Sequence, residues 1–510
     1  MAIPTHRKTR FDDRLCAVIA AATAGEALRQ LRVAAKFTRT MELRLDWLRS
    51  DAERERFLKA LRPVARRNQN WTLLATCRRV LGGGKLSGGA QAELHWLSQA
   101  RAAGCRWCDL EVETLRELPG QSARAFPVPE KILLSYHDFA RTPPLPRKFA
   151  HTGRGEADAF KIAARARTIA DSVRLLRLNR GANDVVAVPM GEIGLPARLL
   201  ALRAGSALAY APVAEATAPG QVSLREFREL YRADALTART AVYGVIGNPI
   251  GHSLSPLLHN TGFIAAKRDA VYLPFLVESL KDFLDAVPEF ALRGFSVTIP
   301  HKQTILKYLA TCDPAAEKLG AVNTVVVGKN GRLSGSNTDY LGVLRALHRK
   351  IALKDARALV FGAGGSARAA AFALADAGAE VLICARRDSA ARALARACGA
   401  QVIARRHLSA ARFELIVNTT PVGMHPHTDA SPLEAKELNC EVAMDLVYRP
   451  LRTRLLQMAE KKGIATVSGA EMFLAQGFAQ WELWMGQPAP EAAMRRAVLR
   501  KLQADEKSRR

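Results

Sequence analysis

The chain has 510 residues, 49% of them hydrophobic, which is more than one ordinary domain needs and excludes a disordered protein. Its apolar runs stop short of the ~18 residues a membrane-spanning helix requires, and its eight cysteines follow no disulfide spacing and suit a reducing compartment. The net charge of +27 comes from Arg spread along the whole chain with only 6% aromatics, so it describes a positive surface that attracts anionic metabolites, not a nucleic-acid docking motif.

Residues 1–10 are basic, but Asp12, Asp13 and Arg14 stand where a secretory apolar core would begin, so an unprocessed cytoplasmic protein is expected. Apolar, strand-like runs then recur at 15–21, 40–45, 71–77, 105–112, 131–136, 159–163, 184–188 and 206–210, separated by segments long enough for helices. Eight such units within about 220 residues predict a parallel (β/α)8 barrel. Cys105 and Cys108 form an isolated C-x-x-C, read as two packed cysteines because no second pair or histidine stands at zinc spacing; no metal is expected.

The turn-like stretch Ala216-Thr217-Ala218-Pro219-Gly220-Gln221 and a closing helix over 223–233 end the barrel, which is assigned residues 1–235. A new strand starts near Thr240 and opens a second half, with a substrate lobe over 236–340 completed by the helical segment 468–510. Residues 341–467 form a nucleotide-binding lobe: strand 357–361 runs into Gly362-Ala363-Gly364-Gly365-Ser366-Ala367, an Ala-rich helix and the strand 380–384. Glycines at that turn let the backbone approach a pyrophosphate at the helix N-terminus. The second strand ends in Cys384-Ala385-Arg386-Arg387, with no acid to hold a ribose 2′-hydroxyl, so NADP is expected over NAD.

Seven ordered motifs in the second half resemble those of the shikimate dehydrogenases. They are Tyr243-Gly244-Val245-Ile246-Gly247-Asn248-Pro249-Ile250-Gly251-His252-Ser253-Leu254-Ser255-Pro256, Ser296-Val297-Thr298-Ile299-Pro300-His301-Lys302, Gly320-Ala321-Val322-Asn323-Thr324, Gly335-Ser336-Asn337-Thr338-Asp339, Asn418-Thr419-Thr420-Pro421-Val422-Gly423-Met424, Asp445-Leu446-Val447-Tyr448-Arg449-Pro450 and Gly469-Ala470-Glu471-Met472-Phe473-Leu474-Ala475-Gln476. The resemblance implies that Lys302 and Asp339 deliver the proton that accompanies hydride transfer to a ketone. It also implies that Ser253, Ser255, Thr298, Asn323, Tyr448 and Gln476 bind substrate, and that Thr419, Leu446 and Gly469 join the glycine loop and Arg386–Arg387 around NADP.

The first 235 residues are similar to the type I 3-dehydroquinate dehydratases, whose fold is also a (β/α)8 barrel. The match rests on Met41-Glu42-Leu43-Arg44-Leu45-Asp46, Thr76-Cys77-Arg78, Leu134-Ser135-Tyr136-His137-Asp138-Phe139, Glu156-Ala157-Asp158-Ala159-Phe160-Lys161-Ile162-Ala163, Met190-Gly191-Glu192 with Arg198, and Ala218-Pro219-Gly220-Gln221. It implies that Lys161, in an apolar strand that favours its neutral form, makes an imine with the substrate ketone, and that His137 moves the carbon proton. Glu42, Arg44 and Arg78 would contact hydroxyls, and Arg198, Thr217 and Gln221 the substrate carboxylate. The family carries a Glu-Gly-Gly stretch after the third-strand Arg, whose Glu orients the histidine. Here the residues are Arg78-Arg79-Val80-Leu81-Gly82-Gly83-Gly84, with no acid.

The joint reading is a bifunctional enzyme acting on the small molecules 3-dehydroquinate and 3-dehydroshikimate, without nucleic acid or membrane, as a monomer or homodimer. A shikimate or quinate dehydrogenase with an inactive barrel stays open as the alternative.

Overall fold

The computed structural model describes residue 11 and residues 13–118, 122–144, 157–214 and 222–507. Two compact units divide the chain: Met1–Ala241 with Leu273–Ala291, and Val242–Tyr272 with Leu292–Arg510. Among the described residues no helix is long and apolar enough to cross a membrane.

The first unit is built on strands β1 (Leu15–Ile19), β2 (Thr40–Arg44), β3 (Thr72–Thr76), β4 (Trp107–Glu111), β5 (Lys131–Asp138), β6 (Ala159–Arg165), β7 (Val185–Met190) and β8 (Ala209–Pro212). Neighbours pair in parallel from β1 through β7, and β8 pairs in parallel with β1. The Ala207 N–H, just ahead of β8, reaches Val185 O of β7 at 2.9 Å, so the ring is nearly closed. This is the expected (β/α)8 barrel. Thr23, Ser50 and Thr168 start three of its helices by accepting a backbone N–H three residues on. The closing segment departs from a regular α-helix, turning as a π-helix over Glu226–Leu230.

Strand composition divides the barrel interior into two ends. The amino-terminal end is apolar, with Cys16, Leu74, Trp107, Leu133, Ala159 and Val186 packed under Phe11. Further along, β2, β4, β5 and β6 instead carry Glu42, Asp109, Glu111, Ser135 and Lys161, all buried. Side chains alternate along each strand, so residues two apart share a face, and the carboxyl end is where barrel enzymes place their chemistry.

Two further sheets follow. Strands β9 (Ala241–Gly247), β10 (Ala270–Leu276), β11 (Leu292–Val297), β12 (Thr311–Cys312), β13 (Thr324–Val327) and β14 (Leu333–Ser336) form a mixed sheet ordered β10-β9-β11-β13-β14-β12. Strands β15 (Arg357–Phe361), β16 (Glu380–Cys384), β17 (Gln401–Val402), β18 (Phe413–Asn418), β19 (Cys440–Asp445) and β20 (Ala465–Ser468) form an all-parallel sheet ordered β17-β16-β15-β18-β19-β20. That is the doubly wound nucleotide-binding order, whose crevice lies where the direction of winding reverses, between β15 and β18. The helix Gly469–Met485 then returns to the mixed sheet, where Trp484 Nε1 donates to Val325 O of β13 at 3.1 Å.

Candidate active sites

At the carboxyl end of the barrel, the parallel register sets Ser135 of β5 beside Lys161 of β6, and Glu111 of β4 beside Ser135. Lys161 is only 7% exposed. Its surroundings are more polar than its apolar strand suggests: Nζ lies 2.9 Å from Asp109 Oδ2 and 3.4 Å from Glu42 Oε1, with the Tyr210 ring centroid 4.2 Å away. Thr76 Oγ1 donates to Glu42 at 2.8 Å, which fixes that carboxylate.

Arg78 is a buried hub. Its Nη2 donates to Asp109 Oδ1 at 2.9 Å, and its Nη1 lies 2.8 Å from His137 Nδ1. Burial by itself would raise the Asp109 pKa, but Arg78 and Lys161 outweigh it and hold the carboxyl well below the usual range. For His137, burial, then Arg78 and Lys161, outweigh Asp109 and push the imidazole well below its ordinary pKa, which favours the neutral ring. Arg44 is held bidentately by Asp46, at 2.9 and 2.8 Å. Arg198 donates to the Gly191 and Pro189 carbonyls, and burial lowers its pKa to about 10. Arg44, Arg198 and Tyr210 line one pocket with Val18, Val188 and Phe227, a cationic mouth suited to an anionic metabolite. Thr217 and Gln221 lie outside the described residues.

In the second unit Lys302 and Asp339 form a direct ion pair. Asp339 stands in the first turn of the helix Thr338–Leu347, where a carboxylate often serves as the cap. Here Asn337 takes that task, its Oδ1 accepting the N–H groups of Asp339 and Tyr340 at 3.1 and 3.3 Å. Asp339 is thereby left for Lys302, and its other oxygen accepts from Asn323 Nδ2 at 2.9 Å. Ser253 Oγ accepts the Ser255 N–H at 3.2 Å, and the Thr298 N–H bonds Ile246 O at the end of β9. Tyr448 stacks on Phe473, whose carbonyl accepts from Gln476 Nε2 at 2.8 Å. Arg449, next to Tyr448, donates to His252 O at 3.2 Å and so ties this group to the serine loop.

Lys302, Asn337 and Asp339 line one cleft with Gly365, Arg368 and Ala369 of the nucleotide-binding helix Gly365–Asp376. That helix has no side-chain cap, so its first N–H groups face outward. A Cβ built on Gly364 or Gly365 meets no protein atom within 4 Å, whereas one on Gly362 (φ +125°) would strike Thr419 Oγ1 at 2.4 Å. An uncapped helix start beside an open glycine cradle fits a pyrophosphate. Ala363 and Ser366 lie in the same turn and Ala367 is buried behind it. At the end of β16 Arg386 and Arg387 are exposed, and neither pairs with a described acid, so both fit a 2′-phosphate. Thr419 bonds Phe361 O at the end of β15, and the Leu446 N–H bonds Asn418 O, which frames the crevice. Gly469 opens the helix that leaves it.

Asp109, Glu111 and Tyr210 were not among the residues singled out from sequence. The signal for the two acids was present in Cys108-Asp109-Leu110-Glu111, where they alternate with apolar residues inside a strand-like run. Cys105 and Cys108 are buried and unpaired, and burial raises both thiols, so they are inert packing. Among the described residues no His, Cys, Asp and Glu group has the geometry of a metal site.

Residues 15–237 match the type I 3-dehydroquinase family, 245–325 the shikimate dehydrogenase substrate binding domain, and 469–499 the shikimate 5′-dehydrogenase C-terminal domain. The chloroplastic bifunctional 3-dehydroquinate dehydratase/shikimate dehydrogenase of Arabidopsis thaliana is 33% identical over 479 residues, 88% of this chain and 78% of that protein. A shikimate dehydrogenase (NADP(+)) of Bacillus cereus (strain 03BB102) is 40% identical over 273 residues, 51% of this chain and 98% of the relative. The solved shikimate 5-dehydrogenase of Thermus thermophilus, in complex with NADP(H) and shikimate, is 39% identical and covers 51% of this chain and 99% of its own, with a TM-score of 0.48. With a barrel of the first family joined to a two-lobed dehydrogenase of the second, the chain belongs to the bifunctional 3-dehydroquinate dehydratase/shikimate dehydrogenase family.

Proposed function

We propose that the barrel dehydrates 3-dehydroquinate to 3-dehydroshikimate and that the second half reduces this product to shikimate with NADPH. The observation that carries the reading is the pair of separate lysine sites, Lys161 on Asp109 and Glu42 inside the barrel, Lys302 on Asp339 beside the glycine cradle.

In the barrel Lys161 hands a proton to a neighbouring group, its freed amine adds to the substrate ketone, and the proton returns as water leaves, giving a protonated imine that acts as an electron sink. His137 takes the proton from the neighbouring carbon and returns it to the departing hydroxyl, which leaves as a second water; hydrolysis of the imine then frees product and lysine. Glu42, Arg44 and Arg78 hold hydroxyls, and Arg198 with Thr217 and Gln221 holds the carboxylate. In the dehydrogenase, bound NADPH supplies a hydride. Lys302 hydrogen-bonds the substrate carbonyl oxygen and protonates it, while Asp339, steadied by Asn323, orients the ammonium. Ser253, Ser255, Thr298, Tyr448 and Gln476 fix the substrate. Arg386 and Arg387 select the 2′-phosphate.

The same proposal assigns the barrel to 1–235, the substrate lobe to 236–340 with 468–510 and the nucleotide lobe to 341–467. It makes the protein cytoplasmic, as its unpaired cysteines favour, and a monomer or homodimer. The test is a coupled assay from 3-dehydroquinate, following NADPH oxidation with no other enzyme added. Lys161→Ala abolishes the first half-reaction alone and Lys302→Ala the second alone. Loss of both in either folded single variant contradicts two independent sites.

A further inference from the structure

The loop after β3 lacks the acid that relatives carry in their Glu-Gly-Gly stretch. In this chain an acid reaches the same space from another strand. A Cβ built on Gly82 would fall 1.7 Å from Glu111 Oε1 and 2.8 Å from Glu111 Cδ, so the glycine is what admits the Glu111 carboxylate from the end of β4. Glu111 is 2% exposed. Its Oε2 accepts the Arg79 N–H and Nε–H, each at 3.2 Å, while Oε1 lies 3.4 Å from Arg78 Nη1. That Nη1 is the atom 2.8 Å from His137 Nδ1.

We propose that Glu111 is a positioning residue for the dehydration, acting through Arg78 to govern which nitrogen of His137 carries the proton and how readily the ring accepts one. The inference rests on the dehydratase reading of the barrel. A guanidinium has donors only, so the His137 nitrogen facing Arg78 presents its lone pair and the neutral ring carries its hydrogen on the other nitrogen. In that state the ring donates, whereas removing a proton from carbon requires a free lone pair toward the substrate. Arg78 therefore moves off the ring during turnover, and Glu111 is the anion placed to hold it. The charged groups facing His137 are Arg78, Lys161, Asp109 and Arg44, with Glu111 directly behind Arg78; three of these five are cations. Deleting the Glu111 charge leaves the cations less balanced and lowers the affinity of the ring for a proton.

Glu111→Gln keeps the shape and removes the charge. The dehydratase kcat is expected to fall at least about tenfold with KM within about twofold, a small share of what general acid–base catalysis contributes. The acidic limb of the pH–kcat profile moves to lower pH. Borohydride still traps 3-dehydroquinate on Lys161, which shows the barrel folded. Returning the carboxylate from residue 82, in Gly82→Glu combined with Glu111→Ala, which clears the space the new side chain needs, restores kcat and the acidic limb. A lower melting temperature with kcat and pH profile unmoved would make Glu111 merely structural and overturn the proposal, as would a double variant that recovers nothing. A wild-type chain that neither turns over nor traps substrate removes the dehydratase reading itself, and this inference with it.

Discussion

The two candidate sites use a lysine beside a carboxylate in opposite surroundings. Lys161 sits at 8% side-chain exposure inside a nearly closed ring of strands, with Glu42 of β2 and Asp109 of β4 against it and Arg78, from the loop after β3, bonded to the same Asp109. Lys302 is 29% exposed on a loop, paired with an acid at the start of a helix and facing a second lobe. The proposed chemistry accounts for the difference. An imine is made and broken by one lysine on one small molecule, so enclosure strengthens every charge interaction and restricts water. Hydride transfer needs a second, large reactant to enter beside the first, so its lysine has to remain open to a cleft.

That contrast can be broken most sharply at Lys161. Its replacement by Ala is expected to lower dehydratase activity on the order of 10⁴-fold or more and to abolish borohydride trapping, with the dehydrogenase unchanged. Next is Asp339→Asn, which keeps the shape but not the charge beside Lys302 and should lower the dehydrogenase kcat roughly 10²–10³-fold, with dehydratase turnover as the internal control. A result confined to KM would mean the pair binds substrate without moving a proton.

Acid also separates the two regions. His259, fully buried in the dehydrogenase core with Nε2 3.1 Å from Gln480 Oε1, has its pKa lowered by burial from 6.5 to about 4. The unfolded chain therefore binds this proton first, so the stability contributed by neutral His259 is present above pH 6.5 and is lost as pH falls toward about 4. The loss is on the order of 3 kcal/mol. Asp109 in the barrel is depressed instead, and its contribution survives until pH falls below its ordinary value of 3.8. Urea midpoints of dehydrogenase activity between pH 7.5 and 4.5 should thus fall more steeply in the wild type than in His259→Gln; parallel curves would exclude the histidine as the cause. The smallest effect is expected at the cofactor. Arg386→Ala with Arg387→Ala should raise KM for NADPH about tenfold, equivalent to about 1.4 kcal/mol, and leave KM for NADH nearly unchanged. Equal losses for both cofactors would place the arginines away from the 2′-phosphate.

Sequence by itself determined the elements whose signals are local. Eight apolar runs predicted the barrel strands, and the predicted strands 357–361 and 380–384 on either side of the glycine turn match β15 and β16. The contiguous stretch Asn337-Thr338-Asp339 announced an acid at a helix start, but not that Asn337 would cap the helix and release Asp339 to Lys302. Tertiary structure alone decided what surrounds Lys161 and His137. Arg78, the β4 pair Asp109 and Glu111, His137 and Lys161 lie on separate stretches of the chain, and only the parallel register of β3, β4, β5 and β6 brings them together. Glu111 is the clearest case: no local pattern shows that its carboxylate fills the space a side chain at residue 82 would take. Local chemistry chooses strands, turns and caps within a few residues, whereas the electrostatics of a buried group are set by neighbours that only folding makes neighbours.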